Sequence, residues 1–347
     1  EPNKAYIREG GTATYTITIS EDTTIDKSKI TVSGTNTVEI TGNGRNYTAT
    51  VTGGTGNGAV TLNVEAGAFT DLVGNQNKLT TKSGLTLDNV APQVVVGEPS
   101  KAYIGKGETV TYEITTNETV ALDSSKVTIS GAGSNGSSVE ITGSGTSFVA
   151  TVTAGNESGE ITLNIGVGTF TDSAGNTNIA VDKTGLTIDN VVPTVTIGEP
   201  SKAVIKSGEE VTYEIIVSKD VTVDRSKITI AGEGSNGCKI EVTGSGRNYT
   251  VTLTGGTGNG EIILNVAAGA FTDLVGNTNK EETRTGLTID NTAPIVTIGN
   301  PNETVINKDG VATYEITLNE SSILNSDKIT ISGAGSTGGT VQVTGSG

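Results

Sequence analysis

The 347-residue chain contains no histidine, methionine or tryptophan, a single cysteine and only 3% aromatic residues. Without histidine it lacks the commonest general base and a favoured metal ligand. One cysteine excludes an internal disulfide and a cysteine-clustered zinc or iron–sulfur site. No apolar run reaches the roughly 18 residues of a transmembrane helix, so no membrane insertion is expected.

Basic residues are also scarce: 22 Lys and Arg face 38 Asp and Glu, which gives a formal net charge of −16. Nucleic-acid phosphates and anionic lipids would repel such a chain, so neither is expected as a partner. The acidic residues and their neighbouring amides are therefore the only candidates for site chemistry.

What the chain does contain is internal repetition, which shows one unit of about 100 residues used several times. The motif E-P-N-K-A-Y-I and its variants recur at residues 1–7, 98–104, 199–205 and 300–306. The motif F-T-D-x-x-G-N recurs at residues 69–75, 170–176 and 271–277. The motif [LI]-D-N-x-x-P recurs at residues 87–92, 188–193 and 289–294.

Each unit consists of short runs of alternating β-branched residues, separated by Gly, Ser and Asn clusters that are typical of turns. In the second unit the predicted strands are Gln93–Gly97, Val110–Thr115, Lys126–Ser130, Val139–Thr142, Phe148–Val152, Glu160–Ile165 and Leu186–Asp189. About seven strands in about 100 residues are typical of an immunoglobulin-like sandwich. The sequence therefore predicts an all-β chain of tandem immunoglobulin-like β-sandwich domains, arranged as an elongated string or rod.

The proline of the D-N-x-x-P motif cannot continue a central strand, so this motif predicts the linker between domains. The expected domains are 1–89, a repeat without its first strand; 90–190 and 191–291, both complete; and 292–347, the N-terminal part of a further repeat. These incomplete ends predict a segment of a longer chain. In an alternative interpretation, a neighbouring chain supplies the missing strands.

The motif G-x-F-T-D-x-x-G-N-x-N, followed by I-D-N-x-x-P, resembles the bacterial immunoglobulin-like (Big) tandem repeats of long surface proteins and giant adhesins. The resemblance extends over three repeats and part of a fourth. It implies display on the bacterial cell surface and, in several members of the group, calcium near the domain junctions.

Calcium binds six to eight oxygen atoms from carboxylates, amides and carbonyls on loops. In an immunoglobulin-like sandwich, the linker, the B–C loop and the F–G loop gather at the end where the chain enters. The candidate ligands at these ends are Asp71; Asp88, Asn89, Glu118, Asp123, Asp172 and Asn176; Asp189, Asn190, Asp220, Asp224, Asp273 and Asn277; and Asp290, Asn291 and Glu320. A bound Ca²⁺ is expected to tie each linker to the loops of the following domain and to stiffen the string.

Two other interpretations of these residues remain open. Asp and Asn form turns with their own backbone, so D-x-x-G-N can be turn chemistry alone, with Gly74, Gly175 and Gly276 at positive φ. An isopeptide bond could also join a recurring lysine, such as Lys126, to a recurring asparagine, such as Asn164.

The single cysteine, Cys238, is expected to be a free thiol without a repeated structural role. It aligns with Ser137 in the preceding repeat and with Gly339 in the following one.

The function expected from the sequence is that of a structural segment of an extracellular bacterial fibre, stalk or adhesin, and not that of an enzyme. The expected partners are the neighbouring repeats of the same chain and identical chains in a filament. One alternative is an adhesive module that binds carbohydrate or a host protein, for which the low aromatic content is unfavourable. Another is a subunit of a laterally assembled filament or surface layer.

Overall fold

The computed structural model describes residues 1–345, and most of the regular structure in them is β-strand. Two compact units are present: residues 1–192 together with 272–277, and residues 193–271 together with the chain from 278 onward. The short 3₁₀ helices are Lys27–Lys29, Ser124–Lys126, Ala132–Ser134, Arg225–Lys227, Glu233–Ser235 and Ser326–Lys328. Within residues 1–345, no helix has the length and apolar character needed to span a bilayer. The all-β prediction is confirmed.

The first compact unit contains two sandwiches whose strands follow each other in the same order. In the first sandwich the strands are β1 (Tyr6–Ile7), β2 (Thr12–Thr18), β3 (Thr23–Ile25), β4 (Ile30–Val32), β5 (Thr37–Asn43), β6 (Asn46–Thr52), β7 (Gly58–Val64), β8 (Phe69–Asp71) and β9 (Thr80–Leu87). In the second they are β10 (Val94–Val96), β11 (Tyr103–Ile104), β12 (Thr109–Leu122), β13 (Val127–Ser130), β14 (Ser138–Thr153), β15 (Gly159–Ile165), β16 (Phe170–Thr171) and β17 (Val181–Ile188).

In the second sandwich, one sheet has the order β10-β12-β14, with β16 also paired to β12, and the facing sheet has the order β11-β17-β15-β13. The entering segment contributes to both sheets. Its first part, β10, pairs antiparallel with β12, and its second part, β11, pairs parallel with β17. The chain therefore crosses between the sheets near Pro99, which has no backbone N–H to donate to either sheet.

The second compact unit is described by itself. Its complete sandwich contains β18 (Val195–Ile197), β19 (Val204–Ile205), β20 (Glu210–Val223), β21 (Ile228–Ala231), β22 (Lys239–Thr254), β23 (Gly260–Val266), β24 (Phe271–Thr272) and β25 (Glu282–Ile289). The following residues form the antiparallel pair β26 (Val296–Ile298) and β27 (Ile316–Leu318). The last two residues of the expected domain 292–347 lie outside the described range.

Alternation along the strands places one set of side chains between the two sheets, as the period of two requires. In the second sandwich Tyr112, Ile114 and Phe148 point into this core and are almost completely buried. The rings of Phe148 and Phe170 lie 4.8 Å apart between centroids at an interplanar angle of 50°. Such tilted aromatic pairs add about 0.5–1.5 kcal/mol beyond the area that they bury.

The core tyrosine of each sandwich offers a test of how buried polar groups contribute to stability. Tyr112 is fully buried, and its hydroxyl has no hydrogen-bond partner among residues 1–345. Burial, together with the nearby charge of Glu98, raises the pKa of Tyr112 to about 12. Because an unpaired buried hydroxyl costs about 1–3 kcal/mol, we expect Tyr112→Phe to leave the free energy of unfolding unchanged or to increase it by about 1 kcal/mol.

Tyr249→Phe is the matched control, because the Tyr249 hydroxyl donates to the carbonyl of Val221 at 3.1 Å. Loss of that hydrogen bond should cost about 1 kcal/mol. Native-state hydrogen exchange of the core strands Gly159–Ile165 and Gly260–Val266 measures the difference, because a chain with several similar domains does not unfold in one step. A larger loss for Tyr112→Phe than for Tyr249→Phe would contradict this account of the core.

Candidate cation site between the first two sandwiches

The D-x-x-G-N motif forms a tight turn that is held by its own aspartate. The Asp172 Oδ1 atom accepts hydrogen bonds from the backbone N–H groups of Ala174 and Asn176, both at 2.8 Å. Its Oδ2 atom accepts from the Asn176 side-chain amide at 2.8 Å. Gly175 has a φ of 93°, which favours glycine. Turn chemistry therefore explains the spacing of the motif, and the first sandwich repeats it around Asp71.

The linker aspartate and the linker asparagine have different roles. The Asn89 side-chain amide donates to the carbonyls of Gly54 at 3.2 Å and Gly56 at 2.6 Å, so it faces the sandwich that precedes the linker. Asn190 and Asn291 make the corresponding contacts one and two repeats later. The Asp88 Oδ1 atom instead accepts from the Val90 N–H at 3.0 Å and shapes the start of the linker.

Three acidic side chains from three segments converge where the linker enters the second sandwich. One carboxylate oxygen each from Asp88 in the linker, Glu118 in the B–C region and Asp172 in the F–G turn lie within 4.8 Å of one another. Asp172 is buried, and the other two residues are partly buried. The Asn176 amide also donates to the backbone carbonyl of Asp88 at 2.8 Å, so the turn is hydrogen-bonded to the linker.

Glu118 has the least favourable environment of the three carboxylates. Burial raises its pKa above the ordinary value of 4.5, and the nearby charges of Asp172 and Asp88 raise it further. The Asp172 carboxylate, in contrast, accepts hydrogen bonds from its own turn. A group with these surroundings gains stability either by taking up a proton or by sharing a cation.

The donor set fits a hard divalent cation. The three carboxylates offer oxygen ligands only, and Ca²⁺ and Mg²⁺ prefer oxygen ligands whereas softer metals prefer nitrogen or sulfur. Asp88 and Asp172 lie outside the strands, and such positions suit the flexible coordination of Ca²⁺ better than the rigid octahedron of Mg²⁺. Asp88, Glu118 and Asp172 are the residues that would hold such an ion.

The other predicted ligands occupy different positions. Asp123 and Asp224 accept from Ser125 and Ser226 and cap 3₁₀ helices, and this lowers the pKa of both carboxyl groups. Asp220 forms an exposed ion pair with Arg247 at 3.6 Å. The remaining predicted ligands are placed as follows: Asp71 and Asp273 each hold a D-x-x-G-N turn, Asn277 donates to the carbonyl of Asp189, Asp290 accepts from the N–H of Thr292, and Glu320 is partly buried.

The second sandwich differs from the sequence expectations in several places. The runs Val139–Thr142 and Phe148–Val152, expected as two strands, form the single strand β14 (Ser138–Thr153). The strand expected to begin at Lys126 begins one residue later, because Asp123 caps a 3₁₀ turn that ends at Lys126. The Lys126 ammonium group donates to Gly168 and lies 3.5 Å from Asp123, while the Asn164 amide donates to Asp182. These contacts do not favour an isopeptide bond between Lys126 and Asn164.

The expectation that Cys238 has no repeated structural role is wrong. Its sulfur lies 3.3 Å from the Gly234 carbonyl and accepts from the Gly256 N–H at 3.2 Å. Ser137 makes the same pair of contacts in the preceding repeat, at 2.7 and 2.8 Å. The two residues differ in type, one with a hydroxyl group and the other with a thiol. Comparison of the repeats by residue type therefore did not reveal their shared role.

The pKa directions predict how stability depends on pH when no divalent cation is present. Because the folded-state pKa of Glu118 is raised, its contribution to stability is fully present below its unfolded pKa near 4.5 and is lost as the pH rises through the folded value. Asp71 behaves in the opposite way. Its lowered pKa gives a contribution that is present above 3.8 and lost as the pH falls through the folded value.

Thermal melting in a chelator between about pH 4 and about pH 7 tests this prediction, since carboxyl groups titrate at the lower end of that interval. We expect the melting temperature of the first compact unit, measured relative to that of Glu118→Gln, to fall as the pH rises above 4.5. The variant Glu118→Gln should flatten this part of the profile. An unchanged profile in Glu118→Gln would contradict the assignment of the pH dependence to Glu118.

Comparison with known proteins agrees with the repeat motifs. Residues 2–86 match the family model Big_12, described as a bacterial Ig-like domain, so the resemblance seen in the sequence is confirmed there. No curated protein matches the chain significantly. An I-band fragment of titin is 14% identical at a TM-score of 0.34, with 84% of this chain and 96% of that chain covered. The full ectodomain of mouse nectin-like molecule 4 is 15% identical at a TM-score of 0.26, with 82% and 96% covered.

Proposed function

We propose that this chain is a structural segment of an extracellular bacterial fibre, stalk or adhesin, in which Ca²⁺ stiffens the junction between the first two immunoglobulin-like repeats. The function of such a segment is mechanical: it provides length and transmits force between whatever lies at its two ends. Repetition supports this role because each repeat needs contacts mainly with its neighbours.

The observation that carries the proposal is the meeting of Asp88, Glu118 and Asp172. Asp88 belongs to the linker, whereas Glu118 lies in the irregular part of β12 and Asp172 lies in the turn after β16, both in the following sandwich. A cation held by all three would restrict the linker relative to that sandwich. Without a cation, the same carboxylates repel each other and weaken the junction.

The asparagine that follows Asp88 supports the same role. The Asn89 amide is hydrogen-bonded to the Gly54 and Gly56 carbonyls of the preceding sandwich, and its Oδ1 atom accepts from the Glu9 N–H. The D-N dipeptide thus has one side chain directed to each side of the junction. A hinge between the first two sandwiches is then confined to the few residues after Asn89.

Thermal unfolding of the full chain in Ca²⁺ and in a chelator tests the proposal. At about 100 times the dissociation constant, Ca²⁺ should stabilise the first compact unit by about 2.7 kcal/mol. For a unit of this size, that corresponds to a rise in melting temperature of roughly 5–10 °C. Glu118→Gln should lose most of the rise. Equal melting temperatures of the wild type in Ca²⁺ and in chelator would contradict a calcium-stiffened junction.

A further inference from the structure

The D-x-x-G-N turn has a second property that cation binding does not explain: its two central residues differ between repeats. They are Leu72 and Val73 in the first repeat, Ser173 and Ala174 in the second, and Leu274 and Val275 in the third. The turns 172–176 and 273–277 both lie in the first compact unit. Each contacts an edge segment of another repeat, which consists of β1 and the residue after it (6–8) or of β11 and the residue after it (103–105).

The turn with small residues contacts an edge segment that carries a large side chain. Ser173, Ala174 and Gly175 line one cleft together with Tyr6 and Arg8. The Arg8 Nε atom lies 3.7 Å from the position that a Cβ atom would take at Gly175. The Arg8 side chain therefore reaches the turn, beside the open cleft that the Ser-Ala pair leaves.

The turn with large residues contacts an edge segment that has no side chain at the corresponding position. Gly105 occupies the place of Arg8, 97 residues later. A Cβ atom at Gly105 would lie 3.2 Å from the Val275 carbonyl oxygen and 3.8 Å from the Val275 Cβ atom. The φ of Gly105 is not positive, so its own backbone does not require glycine. Glycine is favoured at position 105 because the Val275 residue of the turn lies too close for a larger side chain.

We propose that these two positions form a size-matched pair that decides which repeats can stand next to each other. An edge segment with arginine at this position accepts a turn with Ser-Ala, and an edge segment with glycine accepts a turn with Leu-Val. Position 206, one repeat after Gly105, is a lysine. At this position the three edge segments thus carry a large side chain, no side chain and a large side chain. The central side chains of the three turns are large, small and large in the same order.

The pairing identifies the partner of an exposed apolar surface. Leu72 and Val73 are 86% and 85% exposed, in a heptapeptide identical to residues 271–277. Val275, in the same position as Val73, is partly buried in its contact with the edge segment around Gly105. Leu274, in the same position as Leu72, stays 84% exposed in that contact. Val73 is therefore the residue of the tip that an immunoglobulin-like repeat with glycine at the position of Gly105 would cover.

Double-mutant cycles in the full chain test the proposal, with hydrogen exchange of the linkers and turns as the readout of junction opening. Ala174→Val should accelerate exchange in residues 88–92 and 172–176 by about tenfold, a coupling of ordinary size for residues in contact. Adding Arg8→Gly should return the rates to within about threefold of wild type. Arg8 is exposed, so its removal leaves the core of the first sandwich unchanged.

The reciprocal cycle uses Gly105→Arg with Leu274→Ser and Val275→Ala. Gly105→Arg alone should accelerate exchange in residues 272–277, and the small turn should rescue it. Exchange of the core strand Gly159–Ile165 reports whether the second sandwich is still folded. Additive effects in both cycles, with the core strand protected, would overturn the size-matched pair. This outcome is independent of calcium, because both cycles are measured in chelator.

Discussion

Phe170→Ala is expected to lower the free energy of unfolding of the second sandwich by about 3–5 kcal/mol, the usual cost of removing a buried aromatic ring. Phe170 is fully buried and packs against Phe148 in a tilted arrangement, at 4.8 Å between ring centroids. Its strand β16 pairs with the end of β12, next to the Asp172 turn. The substitution should therefore weaken both the core and the support of the junction.

Native-state hydrogen exchange is the appropriate measurement, because a chain with several similar domains does not unfold in one two-state step. The amides of Gly159–Ile165 in the second sandwich should lose protection, while those of Gly260–Val266 in the third should not. Leu72→Ala, at an 86% exposed side chain, is the control and should change stability by less than about 0.5 kcal/mol. A loss for Phe170→Ala as small as that of Leu72→Ala would contradict the assignment of this core.

Glu118→Lys is expected to abolish the response to calcium and to raise the stability of the calcium-free junction. Position 219, which follows Glu118 by one repeat of 101 residues, is naturally a lysine. An ammonium group beside Asp88 and Asp172 would replace a carboxylate whose pKa is raised by burial and by those same two charges. The gain in chelator should be about 1 kcal/mol, because the ammonium group pairs with the two remaining carboxylates and removes one repelling charge.

Glu113→Lys is the matched control for this charge reversal. Glu113 lies on the same strand β12, but its side chain is exposed on the outer face. It should change stability by less than about 0.5 kcal/mol, with the calcium response intact. Melting curves of both variants in Ca²⁺ and in chelator provide the comparison. A calcium response in Glu118→Lys equal to that of Glu113→Lys would show that Glu118 is not a ligand.

The β-sandwich and the meeting of the three loops could be predicted from the sequence because both follow from periodicity. Alternating residues such as those of Val110–Thr115 indicate which side chains are buried, and the internal repeat fixes where each strand recurs. Once the strands are assigned, the topology of the sandwich places the linker, the B–C region and the F–G turn at one end. Asp88, Glu118 and Asp172 meet for that reason.

The roles of single polar side chains could not be predicted in the same way. Asn89 and Asp88 are neighbours, yet one faces the preceding sandwich and the other meets the following one. Asp123 was grouped with Glu118 on loop position alone, but it turns back to cap its own 3₁₀ helix. These directions depend on local backbone angles and on which N–H groups lack partners, and neither is encoded in residue spacing.

The contacts between turns and edge segments were also invisible in the sequence. Gly105 stands among 48 glycines, and its motif gives no sign that the residue is needed by another repeat. Only the distance of 3.2 Å between the Cβ position at Gly105 and the Val275 carbonyl oxygen distinguishes it. Residues more than 150 positions apart become related through packing, which periodicity within one repeat does not describe.

Calorimetric titration of the full chain with Ca²⁺, compared with Glu118→Gln under the same conditions, measures whether Asp88, Glu118 and Asp172 bind a cation together. The account predicts saturable binding to the wild type and the loss of one binding site in Glu118→Gln, at unchanged folding of both sandwiches. Absence of binding to the wild type, or identical titrations for the two proteins, would contradict a cation site formed by Asp88, Glu118 and Asp172.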